Sequence, residues 1–208
     1  MFLNNSKKLL LLCGVLAALL YIVTDILLAM SWEGYSYNSQ AISELSAINA
    51  PTRPLWILMS LVFNPLVIAF GVGVWLAANS KRSLKITGIL LSIWGVMGFL
   101  WLLFPMHLRG EIGSTTDTMH LVMTAITVPL MMVFIGFGSG TGVRGFRLYS
   151  ILTILTMLVF GGMTGIQAPK VASGLPTPWM GITERVSVYA PMIWMGVLSI
   201  VLASRFSK

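Results

Sequence analysis

Six long apolar runs, joined by short links that hold nearly all of the charge, leave this chain few folds to choose from. The runs cover approximately residues 9–30, 55–78, 86–105, 119–138, 148–166 and 186–204. Each is long enough to cross about 30 Å of hydrocarbon as a helix. In lipid every backbone amide must be satisfied inside the protein, and continuous rather than alternating apolar runs select helices over a closed barrel. Composition agrees, with 57% hydrophobic and 9% charged residues, against about a quarter charged in a soluble domain. The expectation is an all-α polytopic membrane bundle of six transmembrane helices, a single domain over residues 1–208.

The charges sort by link. Lys7, Lys8, Lys81, Arg82, Lys85, Arg144, Arg147, Arg205 and Lys208 fall on one side, without an acid. Arg53, Arg109, Lys170 and Arg185 fall on the other, with all six acids, Asp25, Glu33, Glu44, Glu111, Asp117 and Glu184, in or near that side. A lysine and arginine excess marks the cytoplasmic face, which predicts an N-in, C-in topology with both termini cytoplasmic. The formal charge of +7 follows from this placement at span ends, and no nucleic-acid partner is expected. The single cysteine, Cys13, excludes an intramolecular disulfide. Lys7-Lys8 and the following leucines imitate a signal peptide, but the apolar stretch runs on to about Met30, too long for a removable segment.

The links on the acidic side, 31–54, 106–118 and 167–185, are the longer ones, and long connections are where function concentrates. In the first, Ala41, Ile42, Leu45 and Ile48 recur at helical spacing opposite Gln40, Ser43, Glu44 and Ser46. With Asn38 as cap and Pro51 and Pro54 beyond, this predicts a short amphipathic helix over the bundle mouth. Thr177-Pro178 has the form of a cap followed by proline at the first position of the last helix.

Candidate site residues lie on that same side. Asp25 sits about 7 Å below the outer end of the first span by helical rise. An ionised carboxylate there is costly unless paired or hydrated, so it is either functional or ion-paired with Arg185 or Arg53. His107 and His120 are the only histidines; with Asp117, the natural cap of the fourth span, they are the candidate metal ligands. Zinc accepts nitrogen and oxygen donors, but their spacing matches no zinc signature and no cofactor is expected. Glu44, Glu184 and Arg185 complete the candidate set, as acid–base groups, ligand contacts or solvated charges. Asn64 precedes Pro65 in mid-span, where a broken ladder either lines a cavity or ties helices together. Gly136 with Gly140, and Gly161 with Gly165, offer small-residue packing, and tryptophans 32, 56, 101 and 179 fall where aromatic belts do.

Four short motifs carry a resemblance: Ile42-Ser43-Glu44-Leu45-Ser46-Ala47, Phe104-Pro105, His120 opening the fourth span, and Gly181-Ile182-Thr183-Glu184-Arg185. In this order the chain resembles the prokaryotic membrane family catalogued as domain-of-unknown-function 998. The resemblance implies six spans and a bacterial or archaeal cytoplasmic membrane, and supplies no activity. Membrane hydrolases of the alkaline ceramidase type hold zinc with histidines in seven helices, a pattern that two histidines and six spans do not meet. The functional expectation is binding or moving a lipid or other amphipathic ligand at the outer leaflet, with membrane lipids as partners. The alternatives are a metal-dependent hydrolase at the outer face and a structural subunit that docks a protein partner or a second copy.

Overall fold

The computed structural model describes residues 2–206, so Lys208 of the basic set lies outside the described residues. Six helices follow one another: α1 (Phe2–Ser31), α2 (Arg53–Ala77), α3 (Arg82–Trp101), α4 (Thr115–Gly138), α5 (Arg144–Ala172) and α6 (Met180–Ala203). No strand occurs among the described residues. All six helices are long and apolar enough to cross a membrane, and the protein is a multi-pass, membrane-type helical bundle.

The helices differ from the apolar runs at their ends. α1 begins seven residues before the predicted position 9, and α5 continues to Ala172 instead of 166. Hydropathy marks the apolar length of a helix, whereas hydrogen bonding carries it on through polar residues. α3 stops at Trp101, short of the predicted 105, because Pro105 disfavours helical backbone at the residue before it.

The predicted amphipathic helix is a single five-residue 3-10 turn, Ile42–Ser46, with Ala41 rather than Asn38 at its N-cap. Ile42, Glu44 and Leu45 are all buried, so no solvent-facing stripe exists to continue an amphipathic helix. Glu44 folds back to accept from the Ala41 amide at 2.9 Å, and the Ile48 amide turns away to the Met106 carbonyl at 2.8 Å. Nor does Thr177 cap α6. Trp179 holds that position, and the Thr177 hydroxyl donates to the Ser39 carbonyl at 2.6 Å.

α2 packs most closely on α3; α1 lies against α2 and α6, α3 against α4, and α5 chiefly against α6. The α2–α3 approach is made at Gly71 and Gly88: a Cβ on Gly88 would stand 2.6 Å from the Gly71 oxygen. Association inside a bilayer depends on such close packing rather than on hydrophobic transfer. Each glycine pair predicted from spacing is split: a Cβ on Gly140 would stand 2.5 Å from Ser83 Oγ and one on Gly161 3.1 Å from Ser187 Oγ. Nothing lies within 4 Å of a Cβ on Gly136 or Gly165, because those positions face out of the bundle.

An aromatic chain fills the centre. Phe63, Trp94, Phe134, Trp194 and Phe146 meet in sequence at centroid distances of 5.8, 5.5, 5.8 and 5.7 Å. Each such pair adds about 0.5–1.5 kcal/mol beyond area burial. The Trp194 indole N–H, which burial would otherwise leave unsatisfied, donates to Ser150 Oγ at 2.9 Å.

Candidate functional site

At the acidic end, two arginine–carboxylate ion pairs and one histidine–carboxylate hydrogen bond hold the long links and the helices together. Asp25 on α1 is fully buried. It receives Arg185 Nε at 2.9 Å and Arg185 Nη2 at 3.1 Å, together with the Tyr189 hydroxyl. Arg185 Nη2 also donates to the Tyr35 hydroxyl at 2.9 Å, and Nη1 to the carbonyls of Tyr37, Gln40 and Gly181. Its guanidinium lies 3.7 Å from the Tyr37 ring centroid. Every guanidinium proton is therefore engaged, as a buried cation requires. Burial pushes the Tyr35 phenol above its usual range.

Glu44, also fully buried, takes a bidentate fork from Arg109, Nε at 2.9 Å and Nη2 at 2.8 Å. Those hydrogen bonds hold the Arg109 guanidinium above its ordinary value. Arg109 Nη2 continues to Thr177 at 3.2 Å, which joins all three links at one point. The third pair closes the 102–114 link. Asp117 Oδ2 accepts from His107 Nδ1 at 3.0 Å, and Oδ1 from the His107 amide at 2.7 Å. Asp117 stands third in α4 rather than at its cap; Ser114 is the cap, and the two form a capping box.

His120 belongs to a separate group. Its Nδ1 lies 3.0 Å from the Phe104 carbonyl, and a carbonyl only accepts. Nδ1 therefore carries the proton, leaving a lone pair on Nε2. The Trp101 ring stands edge-on to it at 4.7 Å. The seven predicted site residues thus fall into four places: Asp25 with Arg185, Glu44 alone with Arg109, His107 with Asp117, and His120 with Glu184 along a cavity. Among the described residues no three of His, Cys, Asp and Glu gather as metal ligands would.

The cavity has a volume of about 230 Å³ and lies between α2, α3, α4 and α6, under the Ile42–Ser46 turn. Each helix contributes one stripe: Arg53, Trp56, Ser60 and Asn64 from α2; Trp94, Gly98 and Trp101 from α3; His120, Thr124, Thr127 and Met131 from α4; Glu184, Val188 and Met192 from α6. From Arg53 down to Asn64 the cavity follows α2 for about 16 Å by helical rise. Asn64, Val128 and Met192, which line its deep end, adjoin Pro65, Pro129 and Pro191. Proline removes one ladder hydrogen bond per helix, and here the interrupted helices surround the cavity. Trp56 and Trp101, expected in an interfacial belt, instead form its wall.

Polar groups concentrate near the turn. Glu184 Oε2 accepts from the Ile42 amide at 2.6 Å. Arg53 Nη1 reaches only the Ser46 carbonyl, at 3.4 Å. At the deep end, Asn64 is buried and its Nδ2 has no hydrogen-bond partner. Apart from His120, the α3 and α4 stripes were not among the predicted site residues, nor were Arg53 and Asn64. The Asn64-Pro65 pair was the one local signal for them.

The family model described as protein of unknown function (DUF998) matches residues 15–201. The chain belongs to that family. The DUF998 match begins inside α1 and ends inside α6, so it takes in all three carboxylate pairings and the whole cavity. No curated protein and no solved structure matches the chain.

Proposed function

We propose that this DUF998 protein binds an amphipathic small molecule, a lipid or lipid-like compound, in the cavity beneath the Ile42–Ser46 turn. The observation that carries this is the lining: aromatic and methionine side chains along an elongated wall, with the charged side chains Arg53 and Glu184 confined to one end. A ligand site is mostly apolar with a few placed polar groups. Met59, Met131 and Met192 among the lining residues give the wall an adaptable, polarisable surface. The paired Asp25, Glu44 and Asp117 serve as scaffold that holds the links over the mouth.

The lysine and arginine bias of the opposite end supports a cytoplasmic location for that end and both termini. The cavity then opens toward the outer leaflet of a cytoplasmic membrane. A metal-dependent hydrolase would need at least three converging ligands. His107 and His120 both tie the 102–114 link to the start of α4, but each has its own partner, Asp117 for one and the Phe104 carbonyl for the other.

The test is to purify the protein in a mild detergent and identify co-purified lipids by mass spectrometry. Val128→Trp, which places an indole on the α4 stripe, is expected to abolish the bound species while the protein stays folded. A Val128→Trp protein that retains the same lipid in the same amount overturns the reading.

A further inference from the structure

The charges at the acidic end can be accounted for one by one. Asp25, Glu44 and Asp117 are paired with Arg185, Arg109 and His107. Glu33, Glu111 and Lys170 are exposed to solvent. This leaves Arg53 and Glu184. Both line the cavity, and neither has an ion-pair partner among the described residues. An ionisable group without an ion partner beside an aromatic wall is costly to charge, and here one acid and one base both stand that way.

The two stand at opposite ends of one structural unit. Glu184 holds the amide of Ile42, the first residue of the 3-10 turn, at 2.6 Å, and Arg53 reaches the carbonyl of Ser46, the last, at 3.4 Å. Four residues of 3-10 rise separate those ends by about 8 Å. The two side chains form no direct ion pair, and their placement at the two ends suits a head group whose own opposite charges are separated by a short linker. Glu184 Oε1 accepts no hydrogen bond among the described residues, so an ammonium that still carries N–H donors is favoured over a quaternary one. Arg53 supplies the planar fork suited to phosphate or carboxylate.

On the reading that the cavity binds an amphiphile, we infer that its ligand has a zwitterionic head. The anionic group sits at Arg53, a primary ammonium sits at Glu184, and the apolar chain runs down the cavity toward Asn64. This class includes phospholipids with an aminoethyl phosphate head.

The experiment is native mass spectrometry of the full chain in detergent. Phosphatidylethanolamine, phosphatidylcholine and phosphatidylglycerol of equal chain length are supplied at equal concentration. The ethanolamine lipid is expected to bind about tenfold better than the glycerol lipid, a difference of one ion-paired contact. Glu184→Gln brings the two to parity, Arg53→Gln loses both, and Val128→Trp loses all three. Thermal melting confirms that the Arg53 and Glu184 variants remain folded, as groups without protein ion partners allow. Glycerol lipid bound as tightly as ethanolamine lipid, with no change in Glu184→Gln, overturns the head-group assignment. In that case, abolition by Val128→Trp leaves the cavity reading standing. Adducts indifferent to Val128→Trp overturn both.

Discussion

Arg185 grips both carboxylate oxygens of Asp25 while its remaining protons reach Tyr35 and three backbone carbonyls, so one side chain on α6 fixes α1 and the first long link together. Both residues are buried. Removing one partner leaves the other as an uncompensated charge, which costs about 3–5 kcal/mol. Asp25→Asn and Arg185→Met are each expected to lower the melting temperature in detergent strongly, and the double variant to lose less than the sum of the two. Arg185→Lys should also fail, since an ammonium cannot reach Asp25, Tyr35 and the link carbonyls at once. Additive single effects would show that the two groups are not coupled.

The Glu44–Arg109 pair ties the links to one another rather than helix to helix. Arg109→Met is expected to cost about 2 kcal/mol, less than a fully buried pair because Arg109 keeps some exposure. Its clearest readout is local: faster proteolysis within residues 32–52, with the six-helix core intact by circular dichroism. Unchanged cleavage in that link would mean that Thr177 and the backbone bonds hold it without the pair.

How the sequence announces these features differs from one to the next. The six helices are legible because apolar length is a property of consecutive residues, and only their ends were misplaced, where polar residues extend a helix beyond lipid. That Asp25 needs a partner can be read from its depth. The choice between Arg53 and Arg185 cannot, since it depends on how α6 docks against α1. The cavity is less legible still. Glu184, Val188 and Met192 form a stripe at four-residue spacing, as do His120, Thr124 and Val128, but a stripe does not say whether it meets lipid, a neighbour or an empty space. Trp56 and Trp101 have the sequence positions of belt residues and turn inward because the helices around them leave room.

Glycines divide in the same way, and the division is measurable. Gly88 meets the α2 backbone, so Gly88→Leu forces α2 and α3 apart. The variant is expected to lose about 1–3 kcal/mol or more to overpacking. Gly136→Leu, in the same kind of sequence setting but with open space around it, should melt within about 0.5 kcal/mol of the parent. Equal losses at the two positions would place Gly136 against a protein surface, as in an oligomer.

Asn64 offers the sharpest separation of stability from binding. Its Nδ2 is buried against the cavity with no partner, and a buried donor left unpaired costs about 1–3 kcal/mol. Leucine has the same branching and no such donor, and the cavity beside Asn64 can take up its larger volume. Asn64→Leu is therefore expected to raise the melting temperature in detergent alone, by an amount corresponding to about 1 kcal/mol. The same change removes a polar donor at the deep end, so the further stabilisation on adding lipid should shrink relative to the parent, because that increment reports binding to the folded state. Melting curves of both proteins with and without added phosphatidylethanolamine give the two numbers. A loss of stability without lipid would show that the amide holds contacts on which the fold depends. An undiminished lipid increment would place the ligand away from the deep end of the cavity.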